Sequence, residues 1–192
     1  MFKQLNGRTY QLSPQSVGLF PLFIQVFHNN MTEGLREISF SYEKGIFYVL
    51  FLEGDTIHQI PVGFSTARQT WLTIHEEPYL IATSGEFTSD ENGTPVLKLT
   101  LTFLEECVSR KIHIFFQDRQ IQIRFLETPG KGMIMEGLES VTEELANKLI
   151  FATFRDNGGM TVVHRLMEGT IEPVVQGTLC PQKIISSQEQ PL

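Results

Sequence analysis

The chain has 192 residues, 41% hydrophobic and 19% charged, an ordinary balance for a globular domain with an ample core. Its 22 Asp and Glu against 15 Lys and Arg give a net charge of −7, with no basic run to offset it. That balance argues against a nucleic-acid backbone as partner.

Met1 to Gly7 has no apolar leader stretch, so no signal peptide is expected and the compartment reads as cytoplasmic. Gly7 to Leu12 reads as a first short strand, ended by Ser13-Pro14. The longest apolar stretch, Val17 to Phe27, covers 11 residues and carries Pro21, too short to span a bilayer. Pro21 suits a first helical turn, and Leu22, Phe23, Val26 and Phe27 follow at helical spacing. A short helix or a folded loop is expected there, ended by Asn29-Asn30.

Strand patterns follow. Ile38, Phe40 and Tyr42 alternate with more polar neighbours, and Glu43-Lys44-Gly45 turns the chain. Ile46 to Leu52 is almost wholly apolar, the pattern of a strand buried on both faces. Thr56 to Val62 returns after a second turn, and Thr70 to His75 carries the single Trp, Trp71. Tyr79 to Phe87 contains Ser84-Gly85, and Leu97, Leu99, Leu101 and Phe103 alternate with Lys98, Thr100 and Thr102. The clearest signal is Lys111 to Phe125. There Ile112, Ile114 and Phe116 lead through Gln117-Asp118-Arg119-Gln120 to Ile121, Ile123 and Phe125, a hairpin with one apolar face.

These patterns amount to about eight or nine strands between residues 5 and 127, joined by short turns. Sequential neighbours are expected to pair antiparallel. An open meander of this length would leave two bare edges, so closure into a barrel is expected. After Thr128-Pro129-Gly130 the character changes. Ser140 and Glu143 form a capping box before Val141, Leu145 and Leu149, which predicts a helix over residues 141–150. Thr161 to Leu166 and Val174-Val175 read as late strands. The expected organisation is a barrel over residues 1–130 and an extension over residues 131–192 that packs on it.

Chemical motifs are sparse. No two of the five histidines stand at metal-ligand spacing. His75-Glu76-Glu77 is the nearest to a site, and its plainer reading is a solvated turn. Glu105 and Glu106 are adjacent on a strand end and point opposite ways. Cys107 has no neighbouring His, and Cys107 with Cys180 makes no disulfide framework. No glycine-rich nucleotide loop is present. No catalytic residue, metal or cofactor is therefore expected. The chain does hold 15 Phe, which either fill a core or line a cavity. Phe40, Tyr48, Trp71, Phe103, Phe115 and Phe125 are the candidate ligand-lining residues, inside the barrel or at its mouth.

An ordered set of phrases carries a resemblance: Asn6-Gly7-Arg8-Thr9-Tyr10, Phe20 to Asn30, Gly34 to Phe40, Pro61-Val62-Gly63, Ala82-Thr83-Ser84-Gly85-Glu86-Phe87, Leu97 to Phe103 and the hairpin to Phe125. Over residues 5–129 the chain resembles the C-terminal lipocalin-like domain of β-lactamase-related serine hydrolases, the class C and penicillin-binding-protein-like group. The resemblance implies a mainly β, antiparallel lipocalin-like barrel of about eight strands with one or two short helices. The catalytic domain of those enzymes has no counterpart here. Ser41-Tyr42-Glu43-Lys44 matches their Ser-x-x-Lys motif by letter, but at a strand turn and without its partner motifs. The expected role is non-enzymatic: binding a small apolar ligand, or acting as an accessory domain on a serine hydrolase-type partner. Two alternatives stand beside it. One is a small enzyme using His75, Glu77 and His113, or Cys107 with a histidine. The other is a homodimer in which the segment after residue 130 covers a barrel edge.

Overall fold

A computed structural model describes residues 1–14, 17–21, 24–25, 32–74, 76–106, 108–130 and 173–181. Among them are one short helix, α1 (Phe2–Leu5), and ten strands. The strands are β1 (Thr9–Leu12), β2 (Leu35–Glu43), β3 (Ile46–Glu53), β4 (Thr56–Val62), β5 (Arg68–Ile74), β6 (Glu77–Ser89), β7 (Pro95–Phe103), β8 (Val108–Gln117), β9 (Gln120–Thr128) and β10 (Val174–Leu179). They form a single sheet in the order β4-β3-β2-β1-β10-β9-β8-β7-β6-β5. All nine strand pairings are antiparallel.

The sheet curls until its two end strands, β4 and β5, face each other. Among the described residues it is tied shut at one place, past the end of β4. There the Gly63 N–H donates to Thr83 O (3.2 Å) and the Gly85 N–H donates to Gly63 O (2.8 Å). Close backbone approach explains the glycines. A Cβ on Gly85 would overlap Val62 Cγ1, and one on Gly63 would overlap Thr66 O. The result is a nearly closed barrel with a seam along β4 and β5.

The barrel has ten staves rather than about eight. Nine match the alternating segments read up to residue 128. The tenth, β10, enters from the far end of the chain and separates β1 from β9, pairing with both. Without it β1 and β9 would each present an unpaired edge. The expected helix over residues 141–150 and the expected strand over residues 161–166 lie outside the described residues. Of the stretch from Val17 to Phe27, Val17–Pro21 and Ile24–Gln25 are described. Leu19, Phe20 and Ile24 are buried, and the Gln25 N–H donates to Pro21 O (3.2 Å), a helical bond.

One local expectation is corrected, and one element is new. β3 is not buried on both faces: Phe47, Val49, Phe51 and Glu53 point inward, while Ile46, Tyr48, Leu50 and Leu52 lie half-buried on the outer face. An apolar run carries no register information, so only the sheet curvature decides its inner side. The helix α1 has no signal in the sequence, because four residues are too few for a period. It is held by its tether. Asn6 Oδ1 accepts from the Tyr42 N–H (2.7 Å), and the Gly7 N–H donates to Phe40 O (2.8 Å). This fastens α1 across the end of the barrel where β2 turns into β3.

The interior is filled by alternating side chains, among them Tyr10, Ile38, Phe40, Val49, Phe51, Leu99, Ile112, Ile123 and Phe125. Ring contacts run through it from Phe47 to Phe40 (5.9 Å) and on to Phe116 (5.8 Å). No helix among the described residues is long and apolar enough to cross a membrane.

Candidate functional site

The two ends of the barrel differ in chemistry. At the α1 end, five aromatic rings gather. The Phe2 ring sits 4.7 Å from Phe64 and 5.3 Å from Phe87, edge-on to both, and stacks on Tyr42 at 5.7 Å. Phe64 in turn lies flat on Phe87 at 5.4 Å, and Phe47 closes the group beneath, 5.4 Å from Phe2. These rings meet because the Gly63–Gly85 tie lays the β4–β5 connection over β6, which brings Phe64 onto Phe87. Beside them opens a cleft of about 510 Å³ whose walls include Phe2, Tyr42, Phe47, Val62, Phe64 and Arg68. Outside the barrel, a groove of about 690 Å³ follows the seam past Tyr48, Pro61, Arg68 and Thr70.

The opposite end holds a buried charged cluster. Arg110 on β8 faces Glu127 on β9 in register, and its Nη1 donates to Glu127 Oε1. Arg110 Nη2 donates to Gly18 O (3.2 Å), and the guanidinium lies 4.9 Å over the Phe125 ring. On the other wall Glu53 Oε2 accepts from the Leu19 N–H (3.3 Å) and lies 3.6 Å from His58 Nε2. The segment Val17–Pro21 is therefore held in the barrel end by two polar ties, one to each wall. Its Phe20 ring fills the space between Tyr79 (5.3 Å) and Phe103 (5.4 Å). A small void of about 60 Å³, enough for a few waters, adjoins Glu53, His58, Thr56 and Glu33. Glu53 Oε1 is buried and has no hydrogen-bond partner among the described residues.

Burial sets the ionisation of this cluster. It raises the Glu53 carboxyl above its ordinary range, against the Leu19 N–H, the Thr32 hydroxyl and the Arg110 charge; Glu33 raises it further. It lowers His58, so at neutral pH the imidazole is uncharged and its contact with Glu53 is not an ion pair. It pushes the Arg110 guanidinium down to about 9, opposed by Glu53, so the group still carries its charge at neutral pH. Among the described residues no group of three or more His, Cys, Asp or Glu is placed to hold a metal ion.

The six lining residues expected from sequence divide evenly. Phe40, Phe103 and Phe125 are buried inside the barrel. Tyr48, Trp71 and Phe115 are not interior: they stand on the outer face. Tyr48 alternates with inward Phe47 and Val49, and Phe115 with inward Ile114. Trp71 is 59% exposed, and the Arg124 guanidinium lies 4.8 Å over the Phe115 ring. The rings that line the cleft, Phe2, Tyr42, Phe47 and Phe64, were not among the candidates. Their signal is weak, because three of them lie at strand ends or in turns where alternation stops. His113 faces outward near Lys98, Lys111 and Arg124, where burial and these cations lower its pKa. Glu77 is exposed at the start of β6 and accepts from the Tyr79 hydroxyl (2.8 Å). His75 and Cys107 lie outside the described residues.

Comparison with protein-family models, curated proteins and solved structures found no match in any of the three.

Proposed function

We propose that the protein is a non-enzymatic, lipocalin-like barrel that holds one small apolar ligand in the aromatic cleft at its α1 end. The observation that carries this reading is the cleft. Its volume, about 510 Å³, falls in the range of small-molecule sites, and its walls set the aromatic rings beside polar groups of Tyr42, Ser65, Thr66 and Arg68. Inward rings fill the barrel axis, which favours the mouth over the interior as the seat of the ligand. Within the phrase Ser84-Gly85-Glu86-Phe87, which carries part of the lipocalin-like resemblance, Gly85 receives the β4–β5 connection and Phe87 supports Phe64 at the cleft. The buried Glu53 and Arg110 bind the segment Val17–Pro21, a structural task rather than a catalytic one.

Fluorescence titration with the uncharged probe phenylnaphthylamine tests the reading. Saturable one-to-one binding is expected, lost in Phe64→Asp while the far-UV spectrum stays unchanged. Phe64 is 36% exposed, so the substitution leaves the core intact. Binding that Phe64→Asp leaves untouched would sink the proposal.

A second reading, an accessory module for a serine hydrolase-type partner, is favoured by a different observation. Ile57 and Trp71, on the two strands that flank the seam, are 63% and 59% exposed. Photo-crosslinking from position 71, followed by fluorophosphonate labelling of the captured protein, tests it. An unlabelled capture, or none, removes the hydrolase from this reading.

A further inference from the structure

We infer that the mouth cleft selects an anion: a ligand with a flat or compact apolar body and one acidic group, held beside Arg68. The inference rests on the cleft being a ligand site and adds the charge of what it takes. Three observations carry it.

The first is position. Arg68, the opening residue of β5, lines both the aromatic cleft and the outer seam groove, so it stands where the two meet. The second is its lack of engagement. Arg36 pairs with Asp55 (3.5 Å), Arg110 with Glu127, and Arg124 stacks on Phe115. Arg68 makes no ion pair or side-chain hydrogen bond among the described residues. The third is the absence of opposing charge. The chain carries 22 Asp and Glu and a net charge of −7, yet among the described residues no carboxylate lines the cleft or the seam groove, and Arg68 is their one charged lining residue. The void at the other end, by contrast, is lined by Glu33 and Glu53.

A guanidinium with free donors beside an aromatic wall suits a carboxylate or sulfonate, which it can meet with two parallel N–H bonds while the apolar body covers the rings. Tyr42, Ser65 and Thr66 also line the cleft, and a hydroxyl is a donor suited to an acid's remaining lone pairs. A cation would meet no counter-charge there. A neutral apolar ligand would leave Arg68 unused.

The test uses the full chain and two probes of similar ring size. One is the anionic anilinonaphthalene sulfonate and the other the uncharged phenylnaphthylamine. The sulfonate is expected to bind more tightly, and added salt to weaken it alone. Arg68→Glu is expected to lower sulfonate affinity on the order of tenfold or more and to weaken the uncharged probe far less. Arg68→Lys should keep most of the sulfonate affinity, and near-UV dichroism should be the same for all three proteins. If Arg68→Glu weakens both probes alike or neither, the charge inference fails while the apolar cleft stands. If neither probe saturates, the cleft reading fails and this inference falls with it.

Discussion

Single residues in this barrel act against one another across a short buried distance. Arg110 and Glu127 sit opposite each other on β8 and β9, both almost fully buried. Such a pair is weak evidence for stability, because removing two charges from water offsets most of their attraction. Breaking it is another matter. Arg110→Met breaks the buried pair by removing one partner and is expected to cost about 3–5 kcal/mol, read by urea unfolding. Arg110→Met with Glu127→Leu should recover most of that loss. Glu53 and His58 give the pH dependence. The folded Glu53 value is raised above 4.5, so the native state holds that proton more tightly than the unfolded chain. Stability therefore falls as pH rises from 4.5 through the folded value. His58 is lowered below 6.5, so between its folded value and 6.5 the unfolded chain binds more protons, and stability rises with pH there. Glu53→Gln, whose amide oxygen can still accept from the Leu19 N–H, should abolish the first slope. The variant is expected to gain on the wild type above pH 4.5, at up to about 1.4 kcal/mol per pH unit within the window. Urea titrations from acid to neutral pH measure the difference.

At the scale of elements, the seam between β4 and β5 is the point of least redundancy. Every other pair of neighbouring strands is joined by a ladder, whereas the β4 side is tied across the seam, among the described residues, through Gly63 just past β4 to Thr83 and Gly85 on β6. Gly85→Ala places a methyl into Val62 and crowds Phe64. It is expected to cost about 1–3 kcal/mol and to speed hydrogen exchange at the Gly63 and Gly85 amides far more than at the β8–β9 ladder. Equal acceleration at both places would mean that the tie is not a local closure. The same substitution should weaken probe binding, since it shifts Phe64 off Phe87. The helix α1 works with this tie. Asn6 and Gly7 hold it to β2, and Phe2 then covers the rings that the β4–β5 connection brings together.

For the whole molecule, β10 decides whether the barrel exists. It lies between β1 and β9, so a chain ending at Gly130 would lose a stave and gain two bare edges. Such a truncation is expected to run as aggregate or unfolded chain in size-exclusion with light scattering, not as a compact monomer. Much of the barrel was legible beforehand, because a period of two in hydrophobicity marks strands and short turns force antiparallel neighbours. The charged cluster was legible in part. Arg110 continues the inward phase of Ile112 and Ile114, Glu127 that of Ile123 and Phe125, Glu53 that of Phe47 to Phe51, and His58 that of Ile60 and Val62. Four polar residues in phase at strand ends are a sign of inward-facing charge. The cleft was not legible. Its rings come from α1, from the ends of β2 and β3, and from the β4–β5 connection, segments with no shared period. By itself the sequence determined most of the strands and their antiparallel pairing, since local patterning sets these, but it misassigned the inner side at Trp71 and Phe115. Only the tertiary structure decided the register of the all-apolar β3, the entry of β10 between β1 and β9, and the gathering of Phe2, Phe64 and Arg68 at one mouth. Those depend on how the sheet curves and where it closes, which are contacts between residues far apart in the chain.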